Sequence, residues 1–288
     1  LPKTYLFICP FAHLLLLVLF LIGGGDGEAT TPAAFYLIGS GARAGALGNA
    51  FVAVADDVST VYWNPAGMVQ LDSPALQLMD RITTLDTNYV NLAGVLPLHE
   101  IGTLGVNVIF YSVNDIPVFD ELGVAGGELT DKEGSLSLSY AYGIQNLSFG
   151  VNVKGLYQRM DAGENTSGLV ESRTRGMGLD LALLYRISEK LRVGVTLHDE
   201  IELKDTENAE AYTATIPRSI TSGVFYQIPL GEKHRWRLMA DFEQRRSLPL
   251  KLHIGCELVL YQTLSVRAGL NDIFVESRNA GRRIDLGD

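Results

Sequence analysis

The sequence predicts an all-β protein, a transmembrane antiparallel β-barrel with a piece of its own chain folded into the lumen. Three observations predict it. From Ser73 onward, apolar side chains recur at every second position, the period at which a strand presents one face. The connections between these runs alternate between short and long. Ahead of them lies a stretch from Gly39 to Leu71, rich in small residues, too polar to span a membrane and too short to form a domain, which needs a container.

Composition supports this class. Of the 288 residues, 47% are hydrophobic and only 19% charged, with 30 Gly and 12 Tyr, as suits a chain facing lipid on one side and water on the other. A barrel of this length counts as one domain. The formal charge of −10 comes from 23 basic and 33 acidic residues without a basic cluster, which argues against nucleic acid as a partner.

The chain opens on Lys3 and a mostly apolar run from Tyr5 to Ile22, followed by small residues and a cleavage site at Gly27-Glu28-Ala29. This is the layout of a secretory signal peptide over residues 1–29. Read instead as a retained anchor, the run is at the lower limit for a span and is interrupted by Pro10 and His13. Cys9 leaves with the leader, so Cys256 has no intramolecular partner and reads as a small wall residue. The first residue is Leu1, which implies that the extreme N-terminus is missing.

Residues 30–72 form the expected plug segment. Phe35-Tyr36-Leu37-Ile38 followed by Gly39-Ser40-Gly41-Ala42-Arg43-Ala44 fits the G-x-G-x-x-A fingerprint of a dinucleotide site. The fingerprint requires a βαβ unit, and the chain downstream shows hairpin-spaced strands without crossover helices. Gly39, Gly41, Gly45 and Gly48 therefore read as glycines for close packing and tight turns. Asp56 is placed to cap a short helix over Val58–Trp63. Asn64 before Pro65 reads as the cap of another short helix through Ala66, since Asn favours the N-cap and Pro the first helical position.

Residues 73–288 supply the wall. Ser135 to Ile144 puts every large apolar side chain on one face and small residues on the other. Leu147 to Val153, Leu179 to Ile187, Leu191 to Leu197 and Leu252 to Leu260 alternate in the same way. Eleven such strands begin near Ala75, Tyr89, Gly102, Ser135, Leu147, Gly176, Leu191, Arg218, Arg235, Lys251 and Leu264, and Arg282–Leu286 start a twelfth that Gly287-Asp288 cannot complete. A closed barrel needs complete, paired strands, so the C-terminus is expected to be truncated. Leu98–Ile101, Gln145-Asn146 and Ser188–Lys190 are tight connections, whereas Asn114–Gly134, Asp161–Arg175 and Lys204–Pro217 are long. Outer-membrane barrels alternate short periplasmic turns with longer external loops in this way.

With the plug on the periplasmic side, the parity of every strand is fixed. Tyr142, Tyr185, Tyr226 and Tyr261 then fall near one interface with Phe149 and Trp236, an aromatic girdle in which Tyr261 faces the lumen. The lumen-facing set includes Lys154, Asp180, Arg186, Arg192, His198, Arg237, Asp241, Glu243, Lys251, His253, Glu257 and Arg267. No nucleophile motif accompanies these charges and the five histidines show no metal spacing, so neither an enzyme, a metal site nor a cofactor is predicted.

The run Gly41–Ala50, then Val54-Ala55-Asp56-Asp57 and Tyr62-Trp63-Asn64-Pro65-Ala66-Gly67, resembles the N-terminal signature of the PorV/PorQ-like group within the wider FadL-type family of outer-membrane barrels. Phe149–Lys154, Gly178–Leu181 with Leu184-Tyr185, and Ile216-Pro217-Arg218 are similar to it as well. The resemblance covers Gly39 to Asn271. It implies a fourteen-stranded barrel in the bacterial outer membrane with an N-terminal hatch in the lumen, of which about eleven to twelve strands are present here. It also implies a hatch motif at Gly45, Gly48, Asn64, Pro65 and Ala66.

Two functions are implied. A FadL-like barrel carries hydrophobic small molecules across the outer membrane, with Lys154 and Arg192 as lumen bases able to meet an acid head group. A PorV-like barrel is a component of type IX secretion that binds exported cargo proteins through its external loops. In both, the partners are outer-membrane lipid and either a hydrophobic small molecule or a secreted cargo protein.

Overall fold

The computed structural model describes residues 34–82, 87–119, 125–162, 172–205, 213–246 and 248–275. The leader over 1–29 and the twelfth strand at Arg282–Leu286 lie outside the described residues. Thirteen strands form one antiparallel sheet in chain order: β1 (Ala75–Ile82), β2 (Thr87–Pro97), β3 (Thr103–Phe119), β4 (Ala125–Ile144), β5 (Leu147–Ala162), β6 (Ser172–Arg186), β7 (Leu191–His198), β8 (Ile201–Asp205), β9 (Thr213–Ile216), β10 (Ser219–Leu230), β11 (His234–Arg245), β12 (Leu250–Leu260) and β13 (Leu264–Val275).

The thirteen strands make eleven crossings of the wall. β6 pairs first with β7 through Asp180↔His198 and then with β8 through Thr174↔Asp205, so β7 and β8 lie along one line broken at Asp199-Glu200. β9 and β10 likewise continue each other across Pro217-Arg218, because β8 pairs β9 at Ile201↔Ile216 and β7 pairs β10 at His198↔Ser219. Proline has no N–H to give to the ladder, which accounts for the second break. The eleven crossings match in number the eleven strands read from alternation.

Three expectations need correction. The connection expected to be long at Asn114–Gly134 is largely strand: β3 runs to Phe119 and β4 starts at Ala125, ten residues before Ser135, because both continue pairing beyond the apolar series (Val113↔Asp131, Ile116↔Leu129). Tyr261 is not a lumen residue. It lies in the turn between β12 and β13, with positive φ, and meets His234 edge-on at 4.6 Å. Asp56 does not cap the short helix over Thr60–Trp63 but faces Arg43; the N-cap position is Ser59, whose N–H (2.9 Å) and hydroxyl (2.6 Å) donate to the neighbouring Asp57 carboxylate, and no side chain caps the helix.

The two faces of the wall are chemically opposite. On β4, Leu136, Leu138, Tyr140, Tyr142 and Ile144 are all outward and exposed, Leu138 by 59%, while Ser135, Ser137, Ser139 and Ala141 between them are buried. On β6, Leu179, Leu181 and Leu183 are exposed and Asp180, Ala182 and Leu184 are buried. A soluble protein would not leave a belt of this kind in water; lipid is the solvent it fits. Short connections at 145–146, 187–190, 231–233 and 261–263 gather at one end, the end from which the N-terminal segment passes into β1.

That segment fills the other side of the sheet. It comprises a 3₁₀ turn (Ala34–Ile38), a short α-helix (Ala42–Ala46), a second α-helix (Thr60–Trp63) and a 3₁₀ helix (Pro65–Gln70). Leu47, Ala50, Phe51, Ala53, Val54, Val61 and Met68 within it are fully buried. It reaches both flanks of the sheet: the Ser40 hydroxyl donates to Asn91 on β2 (2.6 Å), and Gly48 lies against the backbone of Leu270 on β13. A sheet whose second and last strands touch one small segment is curled around it. Among the described residues β1 and β13 form no ladder with each other.

Candidate functional site

The plug is seated in a collar of small wall residues. On β5, a Cβ at Gly150 would fall on the backbone nitrogen of Ala66 and within 2.6 Å of the Pro65 carbonyl carbon. Gly194 on β7 would meet the Val52 carbonyl, Gly223 on β10 the Ala53 nitrogen at 3.1 Å, Gly255 on β12 the Leu47 oxygen at 2.5 Å, and Gly269 on β13 the Gly48 nitrogen. These are backbone contacts, so no rotamer change in the plug could make room for a side chain. The register groups them in steps: Gly150 lies opposite Ala141 and Ala182, Gly194 opposite Gly223, and Gly255 opposite Gly269, each group staggered two residues from the one before it, since Ala182 pairs with Thr196 and Asp241 with His253.

Hydrogen bonds fix the plug within the collar. The buried Asp241 carboxylate on β11 accepts from the backbone N–H of Phe51 (2.7 Å) and of Val52 (2.8 Å). Asn64 is completely buried; its side-chain oxygen accepts from the Ala66 N–H (3.1 Å), the cap expected from sequence. Its amide nitrogen donates to the carbonyls of Val52 (2.7 Å) in the plug and Leu183 (3.1 Å) in the wall. Asn64 thus closes its own helix and ties two parts of the plug to β6, with Pro65 and Ala66 seated against Gly150.

Charges latch the plug near the short-turn end. Arg43 reaches Asp56 (2.5 Å), Asp57 (3.0 Å) and, across to β12, Glu257 (3.2 Å). Glu257 also takes Arg237 (2.9 Å) and Arg267 (2.6 Å), while Arg192 and Arg237 approach Asp56 at 3.6 and 3.8 Å. Burial pushes the Arg43 pKa down, but the Asp56 and then the Glu257 carboxylates outweigh it and hold the guanidinium above its ordinary value.

The expected site residues separate. Gly48 packs as expected, at positive φ and without space for a Cβ, whereas Gly45 has nothing within 4 Å and lies on the uncovered face of its helix. The close-packing role expected of Gly45 is therefore corrected. Gly39 and Gly41 have no room for a Cβ beside Trp63 and Ser59, as the packing reading of the G-x-G-x-x-A run requires. Arg192 lies in the latch, with its guanidinium donating to Gln70 and lying 4.1 Å over the Phe225 ring. Lys154 is on the other side of the collar, paired with Asp180 (2.7 Å) and 4.9 Å from the Tyr36 ring centre.

On that far side a chamber of about 220 Å³ opens above the plug. Its floor is aromatic: Tyr36, Tyr62 and Trp63, with Tyr36 and Tyr62 rings 5.1 Å apart and Trp63 edge-on to Tyr62 at 4.9 Å. Burial raises both tyrosine hydroxyls well above their ordinary pKa, with Asp180 adding to Tyr36 and Tyr89 to Tyr62, so the floor is uncharged. Its wall carries Lys154, His198, Glu243, Arg245, Lys251 and His253. The lumen set read from sequence includes these wall residues except Arg245, but not the collar or the aromatic floor. The signal was present, since one inward-facing glycine recurs on β5, β7, β10, β12 and β13.

Apolar exterior, curled antiparallel wall and seated plug define a plugged transmembrane β-barrel. The chain belongs to the UPF0164 family, described as an uncharacterised protein family, which matches residues 26–180. No curated protein sequence matches it. Among solved structures it is similar to the CymD monoaromatic hydrocarbon channel at 12% identity and a TM-score of 0.48, over 82% of this chain and 94% of that one. It is also similar to the Ralstonia pickettii toluene transporter TbuX (13%, 0.45, 82% and 79%) and the Pseudomonas putida toluene transporter TodX (12%, 0.48, 87% and 78%).

Proposed function

We propose that the protein is a FadL-like channel of the bacterial outer membrane that passes hydrophobic small molecules, with the N-terminal plug as its gate. The division into a leader over 1–29, a hatch over 30–72 and a barrel from 73 belongs to this reading. The observation that carries it is the chamber, which ends on an aromatic floor made by the plug itself. A ligand resting there meets a segment held through hydrogen bonds and ion pairs at a collar, and a segment so held is displaced without unfolding the wall. The route then runs past Lys154 above the plug and Arg192 below it.

The test is uptake of labelled toluene, a neutral hydrophobic compound, by outer-membrane vesicles with and without the protein. Faster uptake with the protein is expected, and equal uptake removes the reading.

The resemblance to the PorV-like group favours a second reading, a secretion partner that binds exported cargo. One observation supports it: the β3–β4 hairpin projects past the apolar series, with Phe119 exposed by 60% at its end. Co-purification would then recover secreted proteins sharing a C-terminal domain, and recovery of membrane background alone would count against it.

A further inference from the structure

If the barrel is a channel, the chamber's chemistry narrows its ligand beyond the merely hydrophobic, and the ligand class assigned to it rests on that channel reading. Each charged group on its wall already has a partner. Lys154 and His198 share Asp180 at 2.7 and 3.1 Å, His253 meets Glu243 at 3.2 Å, Arg245 pairs with the same Glu243, and Lys251 holds Asp272 at 2.6 Å. Asp199 takes Arg218 at 3.2 Å. A ligand carboxylate entering this space would give up its hydration without finding an unmatched cation, a cost that burial of a charge makes prohibitive.

Neutral hydrogen-bonding groups are different. The side chains of Asn49, Ser219 and Thr221 line the chamber, and among the described residues none of the three has a hydrogen-bond partner. Asn49 is held there by the plug in a left-handed conformation (φ 63) that asparagine tolerates. Trp63 contributes only ring surface, because its N–H is taken by the Ser40 carbonyl at 2.7 Å. A purely hydrocarbon ligand would cover the three polar groups and leave them unsatisfied, at about 1–3 kcal/mol for a buried group.

Size narrows the class further. A cavity of ~150 Å³ holds a benzene ring, and drug-sized ligands take roughly 300–1,000 Å³. The chamber, at about 220 Å³, falls between them.

We infer that the chamber is a binding site for a neutral single-ring compound bearing a hydrogen-bonding substituent, a phenol in the simplest case, in preference to the bare hydrocarbon or the carboxylate. The ring stacks on Tyr36, Tyr62 and Trp63, and the hydroxyl exchanges hydrogen bonds with Asn49, Ser219 or Thr221.

The test is a matched series, para-cresol, toluene and para-toluate, which differ only in the group opposite the methyl. Binding to the full chain in detergent is read from Trp63 fluorescence in a Trp236→Phe background, since Trp236 lies on the lipid face. Cresol is expected to bind about tenfold more tightly than toluene, the worth of one to two net hydrogen bonds, and para-toluate more weakly than either. Asn49→Gly, Ser219→Ala and Thr221→Val combined, with Gly chosen because residue 49 has positive φ, are expected to erase the preference for cresol and to tighten toluene binding, since no polar group is then left for a hydrocarbon to cover. Toluene or para-toluate binding as tightly as cresol to the parent, or an unchanged preference in the triple variant, overturns the inference. Uptake of the same three compounds by vesicles separates the two claims. If toluene crosses and cresol has no binding advantage, the channel reading stands and the inference falls. If cresol binds preferentially and none of the three crosses, the inference stands and the channel reading falls.

Discussion

Asp241→Ala is the sharpest test of how the plug is held. Its carboxylate accepts from two plug amides, Phe51 N–H and Val52 N–H, at 2.7 and 2.8 Å in a fully buried setting. Hydrogen bonds contribute about 0.5–1.5 kcal/mol each to a neutral acceptor and about 1.5–3 to a charged one, so the pair is worth roughly 1–6 kcal/mol before the relief of removing a buried carboxyl group is counted. If that relief cancels enough to leave about 2 kcal/mol, local opening of the plug rises ~30-fold, because each 1.4 kcal/mol is a factor of ten. The assay is amide hydrogen exchange of the reconstituted barrel, read at peptides covering residues 50–54. Exchange there should accelerate by that order while the strands of the wall keep their protection. Asp241→Asn keeps an oxygen with two lone pairs facing both amides and should remain close to the parent. Unchanged exchange in Asp241→Ala would refute the argument that these two bonds seat the plug.

The same geometry sets three further outcomes. Gly150→Ala should destabilise the plugged state by about 1–3 kcal/mol, as overpacking against a fixed backbone does, and Gly155→Ala, with nothing within 4 Å, should stay within about 0.5 kcal/mol; denaturant midpoints in micelles decide it. Asn64→Ala removes a cap and two donated bonds and should cost about 2–3 kcal/mol by the same measurement, with Asn64→Asp recovering the cap at Ala66 but not the bonds to Val52 and Leu183. Leu138→Lys, on the exposed apolar face, should reduce folding into lipid by about 2–4 kcal/mol if it lies near the bilayer midplane, and a loss near zero would place that face outside the membrane.

Much of the wall is legible in the sequence because its code is local. Ser135 to Ile144 alternates residue by residue, and the structure turns Leu136, Leu138 and Tyr140 outward and the serines inward, as period two requires. Parity also assigns Lys154, Asp180, Asp241 and Glu257 to the lumen. Strand ends are less legible. The apolar series on β4 stops at Leu136, but pairing with β3 continues through Lys132 and Leu129 because backbone groups bond whatever the side chains are. Side-chain pattern marks where the apolar belt ends, not where the ladder ends.

The plug obeys a different rule, and this explains what the sequence conceals. Asn64 capping Pro65-Ala66 is a local feature and reads directly. That the same side chain also reaches Leu183, 119 residues away, depends on the stagger between neighbouring strands, which no single strand encodes. The collar has the same origin: Gly150, Gly194, Gly223, Gly255 and Gly269 lie at different offsets along their strands, and only the register aligns them into a seat. Each glycine read alone suggests a weak point in a strand. Read together on the inward parity, they describe the absence of side chains where another backbone must pass. That converts the small-residue character of Gly41–Ala55 from a compositional oddity into one half of a fit. The physical consequence is directional. Apolar burial alone would let the plug slide, but backbone packed on backbone, with Asp241 and Asn64 bonded at fixed points, allows it one seated position, and any opening must break those bonds as a set.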